Sequence, residues 1–250
     1  PNKAKEGRAK EIRHCIGCGW CSPGPKVRQC ALNTRWCHET ENQITPAEKS
    51  KNVFIAGGGP AGMEAARVAT LRGHKVTLYE KDKLGGQLNI AYVPPAKEDI
   101  KLLLDYEKVQ MELLKVNIKH EELTADKVKQ SKPDAVVVAT GAHPVWPEFP
   151  GSRNKNVVTV WQVLDGSVVP TGKVVVLGGK QYGAETAEYL ANKGCQVSII
   201  EEAPEIVQSS GGVDYKVGMD AIYLRQSLRF LGVNILKAGV DIEIKRMRFR

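Results

Sequence analysis

The chain reads as an α/β protein: a four-cysteine loop at the N-terminus, then two Rossmann-like dinucleotide-binding units. Three observations predict this. A β-branched run, a glycine turn, a helix and a second β-branched run follow one another from Val53 to Glu80. The same order recurs from Lys173 to Glu201, 121 residues further on. Near the start, three cysteines stand at C-x2-C-x2-C. The expected domains are 1–45 (cysteine segment and linker), 46–150 (first unit) and 151–250 (second unit).

Composition limits the alternatives. No apolar run approaches the roughly 18 residues that cross a bilayer, and Pro1-Asn2-Lys3-Ala4-Lys5-Glu6 lacks the apolar core of a signal peptide. A soluble cytoplasmic protein with no membrane partner is expected. The net charge of +8 is concentrated in Lys3, Lys5, Arg8, Lys10, Arg13, Lys26, Arg28 and Arg35, and again in Lys245, Arg246, Arg248 and Arg250. Nucleic acid is the obvious partner for such a surplus, but neither a base-stacking motif nor a reading helix accompanies it, so none is expected. Basic residues around cysteines offset the negative charge of thiolates and metal, or face an acidic domain.

Cys15-Ile16-Gly17-Cys18-Gly19-Trp20-Cys21 puts three thiolates within reach of one centre, and Gly17 and Gly19 supply the backbone freedom for the wrap. A fourth thiolate, from Cys30 or Cys37, completes the shell of a [4Fe–4S] cluster. Zinc also takes four thiolates, but usually from two C-x2-C pairs. Disulfides are not expected in an intracellular enzyme. Trp20 and Trp36 are expected to shield the cluster, Cys37 to pack beside it, and Cys195 to be a small buried apolar residue. Glu39 to Lys51 is polar and reads as a linker.

In the first unit Val53-Phe54-Ile55-Ala56 is a strand, Met63 to Arg72 a helix and Val76 to Tyr79 the second strand. Gly57 permits the tight turn, Gly59 lets the backbone approach a pyrophosphate, and Gly62 lets helix and strand pack closely. Pro60 opens the helix where no amide hydrogen is needed, and with Ala61 it stands at an anion-binding helix start. Glu80, 23 residues after Gly57, can accept both ribose hydroxyls, with Lys81 beside it. Leu84-Gly85-Gly86-Gln87-Leu88 can fold back over the nucleotide through Gly86 and Gln87. Asp99 to Val116 has a helical period. Ala135 to Val138 is a buried strand whose end, Thr140-Gly141, can bring its backbone to the cofactor. Pro144, Pro147 and Pro150 mark the crossover.

The second unit has the strand Lys173–Leu177, the turn Gly178-Gly179-Lys180-Gln181-Tyr182-Gly183, a helix from Ala184 to Asn192 bearing Glu185, and a strand ending at Glu201. Glu201 favours NADH, because a 2′-phosphate would meet a like charge. Lys180 takes the place of the middle glycine and either crowds the pyrophosphate or swings out to pair with it. Val213 to Leu231 reads as a helix, and Val233 to Phe249 mixes strand-like alternation with charge.

These residues resemble the C-terminal half of the iron–sulfur flavoenzymes related to old yellow enzyme: 2,4-dienoyl-CoA reductase, 2-enoate reductase and the bile-acid enoate reductases, with trimethylamine dehydrogenase as a cousin. Pro1–Arg8 resembles the exit of that family's FMN-binding barrel, Cys15-Ile16-Gly17-Cys18 its cluster loop, and Cys30-Ala31-Leu32-Asn33 its fourth-ligand segment. Cys37-His38-Glu39-Thr40 and Gly85–Ala91 lean toward the reductase branch. The resemblance makes Cys30 the fourth ligand, with FAD (or ADP) on the first unit and NADH on the second. It implies an FMN barrel, in the same polypeptide or a separate subunit, that reduces a C=C bond conjugated to a carboxylate or thioester.

The gap from Cys21 to Cys30 is shorter than the family's, and Lys180 replaces a glycine. The barrel and the segment that closes the FAD domain have no counterpart, so the second unit is truncated and the chain is expected to be a fragment or one piece of a split, oligomeric enzyme. No catalytic residue is assigned. The rival expectation is a module without turnover, holding ADP and passing electrons to a separate carrier protein.

Overall fold

The computed structural model describes residues 2–21, 29–203, 205–207 and 215–237. Its contacts divide the chain into two units. One holds the residues up to Tyr92 together with Lys97–Ala142; the other holds Val93–Ala96 and the residues from His143 onward.

The first unit begins with a short helix α1 (Asn2–Lys5) and a single 3-10 turn (Ala9–Glu11). Then come β1 (Asn52–Ala56), α2 (Pro60–Leu71), β2 (Lys75–Tyr79), α3 (Leu88–Ala91), α4 (Glu98–Leu113), β3 (Asn117–Lys119), α5 (Ala125–Ser131) and β4 (Ala135–Val138). Its four strands are all parallel, in the order β3-β2-β1-β4. In this order the chain turns outward on both sides of β1, so the crevice between the C-terminal ends of β1 and β4 is a topological switch point. β1 is buried from Val53 to Ala56, as a parallel strand covered on both faces must be. Val53, Ile55, Met63, Ala66, Val76, Leu78, Leu104 and Met111 form its core.

The second unit holds α6 (Val160–Leu164), β5 (Lys173–Leu177), α7 (Gln181–Asn192), β6 (Gln196–Glu201), α8 (Tyr215–Phe230) and β7 (Asn234–Lys237). Its strands are parallel in the order β5-β6-β7. A separate core gathers Val176, Ala184, Ala187, Leu190, Val197, Ile199, Leu224 and Leu228.

α2 starts at Pro60, where a helix opening was expected, whereas α7 starts at Gln181, ahead of the expected Ala184. The turn residues carry no apolar signal, yet their backbone is already helical. β3, α5 and α6 were not anticipated. β3 has only three residues and no apolar run, while α5 and α6 are announced by Thr124 and Thr159, whose side chains accept from the amides three residues on. The alternation expected over Val233–Phe249 is a strand as far as Lys237, and the remainder, including the basic group at 245–250, lies outside the described residues. Among the described residues, no helix is long and apolar enough to cross a membrane.

Candidate functional site

At the end of β1 the chain must turn sharply to enter α2, and only glycine fits. Gly57 has φ +103°, and a Cβ there would lie 2.3 Å from the carbonyl oxygen of Ala139. The end of β4, with the Cα of Thr140, is therefore in contact with the turn. Gly62 lies on the same turn from the helix side, where a Cβ would come 1.8 Å from the Gly57 oxygen. Gly59 is different: nothing stands within 4 Å of a Cβ placed on it. Its backbone is the helix N-cap, followed by Pro60, and it faces open space of the kind a bound pyrophosphate fills.

The acid completes the cradle. Glu80 accepts the Gly58 N–H on Oε2 at 2.6 Å and the Asp82 N–H on Oε1 at 2.8 Å. Two backbone donors thus fix the carboxylate at the tip of β2, while Lys81 beside it is exposed. The double glycine folds back onto the turn. The Gly85 N–H donates to the Gly58 oxygen at 2.8 Å, and a Cβ on Gly86 would lie 3.1 Å from the Gly59 Cα. Gln87 Nε2 lies 3.4 Å from the Ala142 oxygen, just past Gly141. Gly57, Gly59, Pro60, Ala61, Gly62, Glu80, Gly86, Gln87, Thr140 and Gly141 thus belong to one rim at the switch point.

The second unit repeats this geometry. Gly178 has φ +90°, and a Cβ on Gly183 would come 1.9 Å from the Gly178 oxygen. Glu201 accepts the Gly179 N–H on Oε2 at 2.5 Å and the Ala203 N–H on Oε1 at 2.9 Å. Burial acts to raise the Glu201 pKa, but the backbone amides of Ala203, Gly179 and Glu202, together with the Lys180 charge, more than offset it and hold the carboxyl below its ordinary value. Lys180 is the exposed N-cap of α7, in the position that Gly59 leaves open in the first unit. Glu185 pairs with Gln181 Nε2 at 2.9 Å along α7.

Sequence reasoning missed one part of the second cradle. Ile206 and Val207 stand where Leu84 and Gly85 stand in the first: the Val207 N–H donates to the Gly179 oxygen at 2.8 Å, and Ile206 covers Gly179. Val207 does this at φ +53°, a conformation β-branched residues rarely adopt, so no glycine signalled it.

Cys15, Cys18 and Cys21 are exposed and Cys30 half-buried, and residues 22–28 between them lie outside the described residues. The donor chemistry fits an iron–sulfur centre. Gly17 and Gly19 turn the loop at φ +60° and +72°, and the Gly17 N–H donates to Cys15 Sγ at 3.2 Å, the kind of bond that tunes cluster sulfurs. The thiols are not gathered, however: among the described residues no three His, Cys, Asp or Glu side chains are grouped to hold a metal ion. Other expectations at this loop are corrected. Trp20 is 63% exposed and Trp36 36%, so neither is a buried shield. Cys37 is exposed at φ +59°, held at a turn rather than packed. Away from the loop, Cys195 is partly buried and packs against the second unit's core as a small apolar residue, with its thiol donating to the Pro170 oxygen at 3.3 Å.

The loop's base is built most firmly. Arg13 is half-buried beneath helices α2 and α4. Its Nη2 bonds Glu64 at 2.7 Å and stands 4.0 Å from Glu107, and its guanidinium lies 5.0 Å from the Tyr106 ring centre. Arg67 makes two further bonds to Glu64, at 2.7 and 2.8 Å. Glu107 is 4% exposed and its Oε2 has no hydrogen-bond partner. Burial, reinforced by the Glu64 charge and opposed by Arg13 and Arg67, pushes its pKa up to about 7.

Comparison with known proteins agrees with this architecture. The profile of the pyridine nucleotide-disulphide oxidoreductases matches residues 51–237. The chain is 44% identical over 212 residues to a bilirubin reductase of Mediterraneibacter gnavus, covering 82% of this chain and 33% of that protein. It is 42% identical over 219 residues to an NADH oxidase of Thermoanaerobacter brockii, covering 82% and 34%. A solved structure of 2-naphthoyl-CoA reductase bound to 2-naphthoyl-CoA superimposes with a TM-score of 0.83 at 33% identity, over 95% of this chain and 36% of that one. The chain thus spans about one third of the length of the relatives it matches. With its two glycine cradles and parallel sheets, the chain belongs to the pyridine nucleotide-disulphide oxidoreductase family, and it fits the C-terminal half of the flavoenzyme reductases that its sequence resembles.

Proposed function

We propose that this chain is the electron-transfer part of an NADH-dependent iron–sulfur flavoprotein oxidoreductase. FAD occupies the first unit, NADH the second, and a [4Fe–4S] cluster Cys15, Cys18, Cys21 and Cys30. An FMN-binding barrel, in the same polypeptide or another subunit, reduces an enoate or enoyl-CoA C=C bond. The observation that carries this reading is the repeated cradle, in which a strand-tip glutamate, Glu80 or Glu201, grips the second glycine's amide. The names of the relatives support the choice of donor and substrate class: one is an NADH oxidase and another a reductase bound to an acyl-CoA.

When bound, a flavin converts a two-electron hydride into single electrons. The chain's own work is to bind and orient. The amides at the start of α2 and the space over Gly59 receive a pyrophosphate. The lone pairs that Glu80 keeps outside its two backbone bonds accept ribose hydroxyls. Glu201, held ionised, does the same for NADH and repels a 2′-phosphate. The thiolates of the cysteine loop hold iron, with the Gly17 amide on Cys15 Sγ.

An oxygen-free preparation tests the reading. Iron and acid-labile sulfide in equal amounts, with flavin bands bleached by NADH, are the expected result. Colourless protein carrying zinc, or none of these groups, would overturn it.

Lys180 favours a second reading, because its side chain stands where the first unit leaves room for phosphate. In that case ADP fills the first cradle, NADH binds poorly, and electrons go to a separate carrier protein. A brown, flavin-free protein whose spectrum NADH leaves unchanged is the sign of this alternative. Lys180→Gly should tighten NADH binding if crowding is the defect; unchanged or weaker binding refutes crowding.

A further inference from the structure

The cysteine loop begins two residues after Arg13 and ends two residues before Leu32. Arg13 joins these two ends, since its Nη1 donates to the Leu32 carbonyl oxygen. Through Nη2 the same guanidinium bonds Glu64 on α2 at 2.7 Å, and it lies over the Tyr106 ring on α4. One side chain therefore closes the loop at its neck and fastens the neck to the two helices that flank the first nucleotide cradle. Only a fork-shaped donor can do this: it must send one N–H to a carbonyl and another to a carboxylate while its flat face rests on a ring. Glu64 is held for the purpose. Burial would raise its pKa, but Arg67 and Arg13 outweigh that and keep it ionised. Arg13 itself is 15% exposed, so its bonds are shielded from water.

The loop needs such a fastening. Among its described residues the three leading thiols are exposed, and Gly17 and Gly19 turn the backbone at positive φ. A chain of that length closed at the neck loses much of its conformational freedom before any ligand binds.

We propose that Arg13 is the positioning residue of the cysteine loop, a two-ended clasp that holds Cys15 and Cys30 in range of a common centre and docks that centre against the first nucleotide-binding unit. This rests on the reading of the cysteines as cluster ligands, but its test does not require the cluster.

Hydrogen–deuterium exchange on the metal-free chain, followed in peptides covering residues 9–16 and 29–36, provides the test. Arg13→Gln should speed exchange in both peptides about tenfold, the scale of a lost charge-assisted hydrogen bond, while peptides from β1 and β2 keep wild-type rates. Arg13→Lys retains the charge opposite Glu64 but offers no fork, so it should protect 9–16 and leave 29–36 fast. If Arg13→Gln also loosens β1, Arg13→Lys decides alone, and wild-type protection of 29–36 in that variant overturns the two-ended clasp. Unchanged exchange in Arg13→Gln overturns the proposal outright. After anaerobic loading with iron and sulfide, Arg13→Gln should lose iron on gel filtration faster than wild type. A wild-type chain that takes up no iron would refute the cluster reading and leave the exchange result standing by itself.

Discussion

Single residues in the first cradle have separable tasks. Gly59 borders open space in a backbone conformation that alanine adopts freely. Gly59→Ala should therefore change folding stability by less than about 1 kcal/mol yet weaken FAD or ADP binding by about tenfold or more, as measured by denaturant unfolding and by titration calorimetry. Glu107 makes a pH prediction. Its folded pKa of about 7 lies above the ordinary value of 4.5, so the folded chain holds a proton that the unfolded chain releases. Stability therefore falls as pH rises from about 4.5 to about 7, by on the order of 3 kcal/mol in all. Glu107→Gln mimics the protonated form, so it should remove that slope and be the more stable protein at pH 8. An unfolding midpoint with the same pH slope in both proteins would show that Glu107 is not the group responsible.

At the scale of elements, each helix–strand pair depends on a glycine with a different constraint. A Cβ at Gly62 or Gly183 would fall inside the contact distance of a backbone oxygen, 1.8 or 1.9 Å away, and backbone cannot swing aside as a side chain can. Gly62→Ala and Gly183→Ala should each cost about 3 kcal/mol or more, read as a lowered melting temperature of the unit concerned. The short helix α6 depends instead on its capping box, in which Thr159 and Gln162 satisfy each other's backbone. Thr159→Ala should cost about 1 kcal/mol. Elements of this kind show how far the sequence can be read. The glycine turns were legible because the chemistry that shapes them leaves invariant spacing: a positive φ, a close contact and an acid 23 residues on. β3 was not, because Asn117-Ile118-Lys119 owes its strand conformation to pairing with β2 rather than to its own composition. Val207 was hidden for the opposite reason, since its residue type argues against the backbone it adopts.

For the whole molecule, the two cores share no residue. Leu228 is fully buried in the second, and Leu228→Ala should destabilise that unit by roughly 2–5 kcal/mol. Nucleotide affinity at the Gly57 cradle should stay at its wild-type value; a parallel loss would mean the two cores unfold together. The proposed metal centre was the least readable part. The sequence supplies four thiols at suitable spacing, but bringing them together depends on the segment between Cys21 and Cys30 and on the metal itself, neither of which a spacing rule describes. The contacts of Arg13 carry no sequence signal for a related reason: Arg13, Leu32, Glu64 and Tyr106 are far apart in the chain and form no motif.

The grip of Glu80 on Gly58, matched by that of Glu201 on Gly179, has a kinetic corollary. Each carboxylate already holds its glycine turn with no ligand bound, so an incoming adenosine diphosphate moiety should encounter a finished contour. Capture at the first receptacle should be a single concentration-proportional phase in stopped flow, without the plateau that a slow rearrangement would impose.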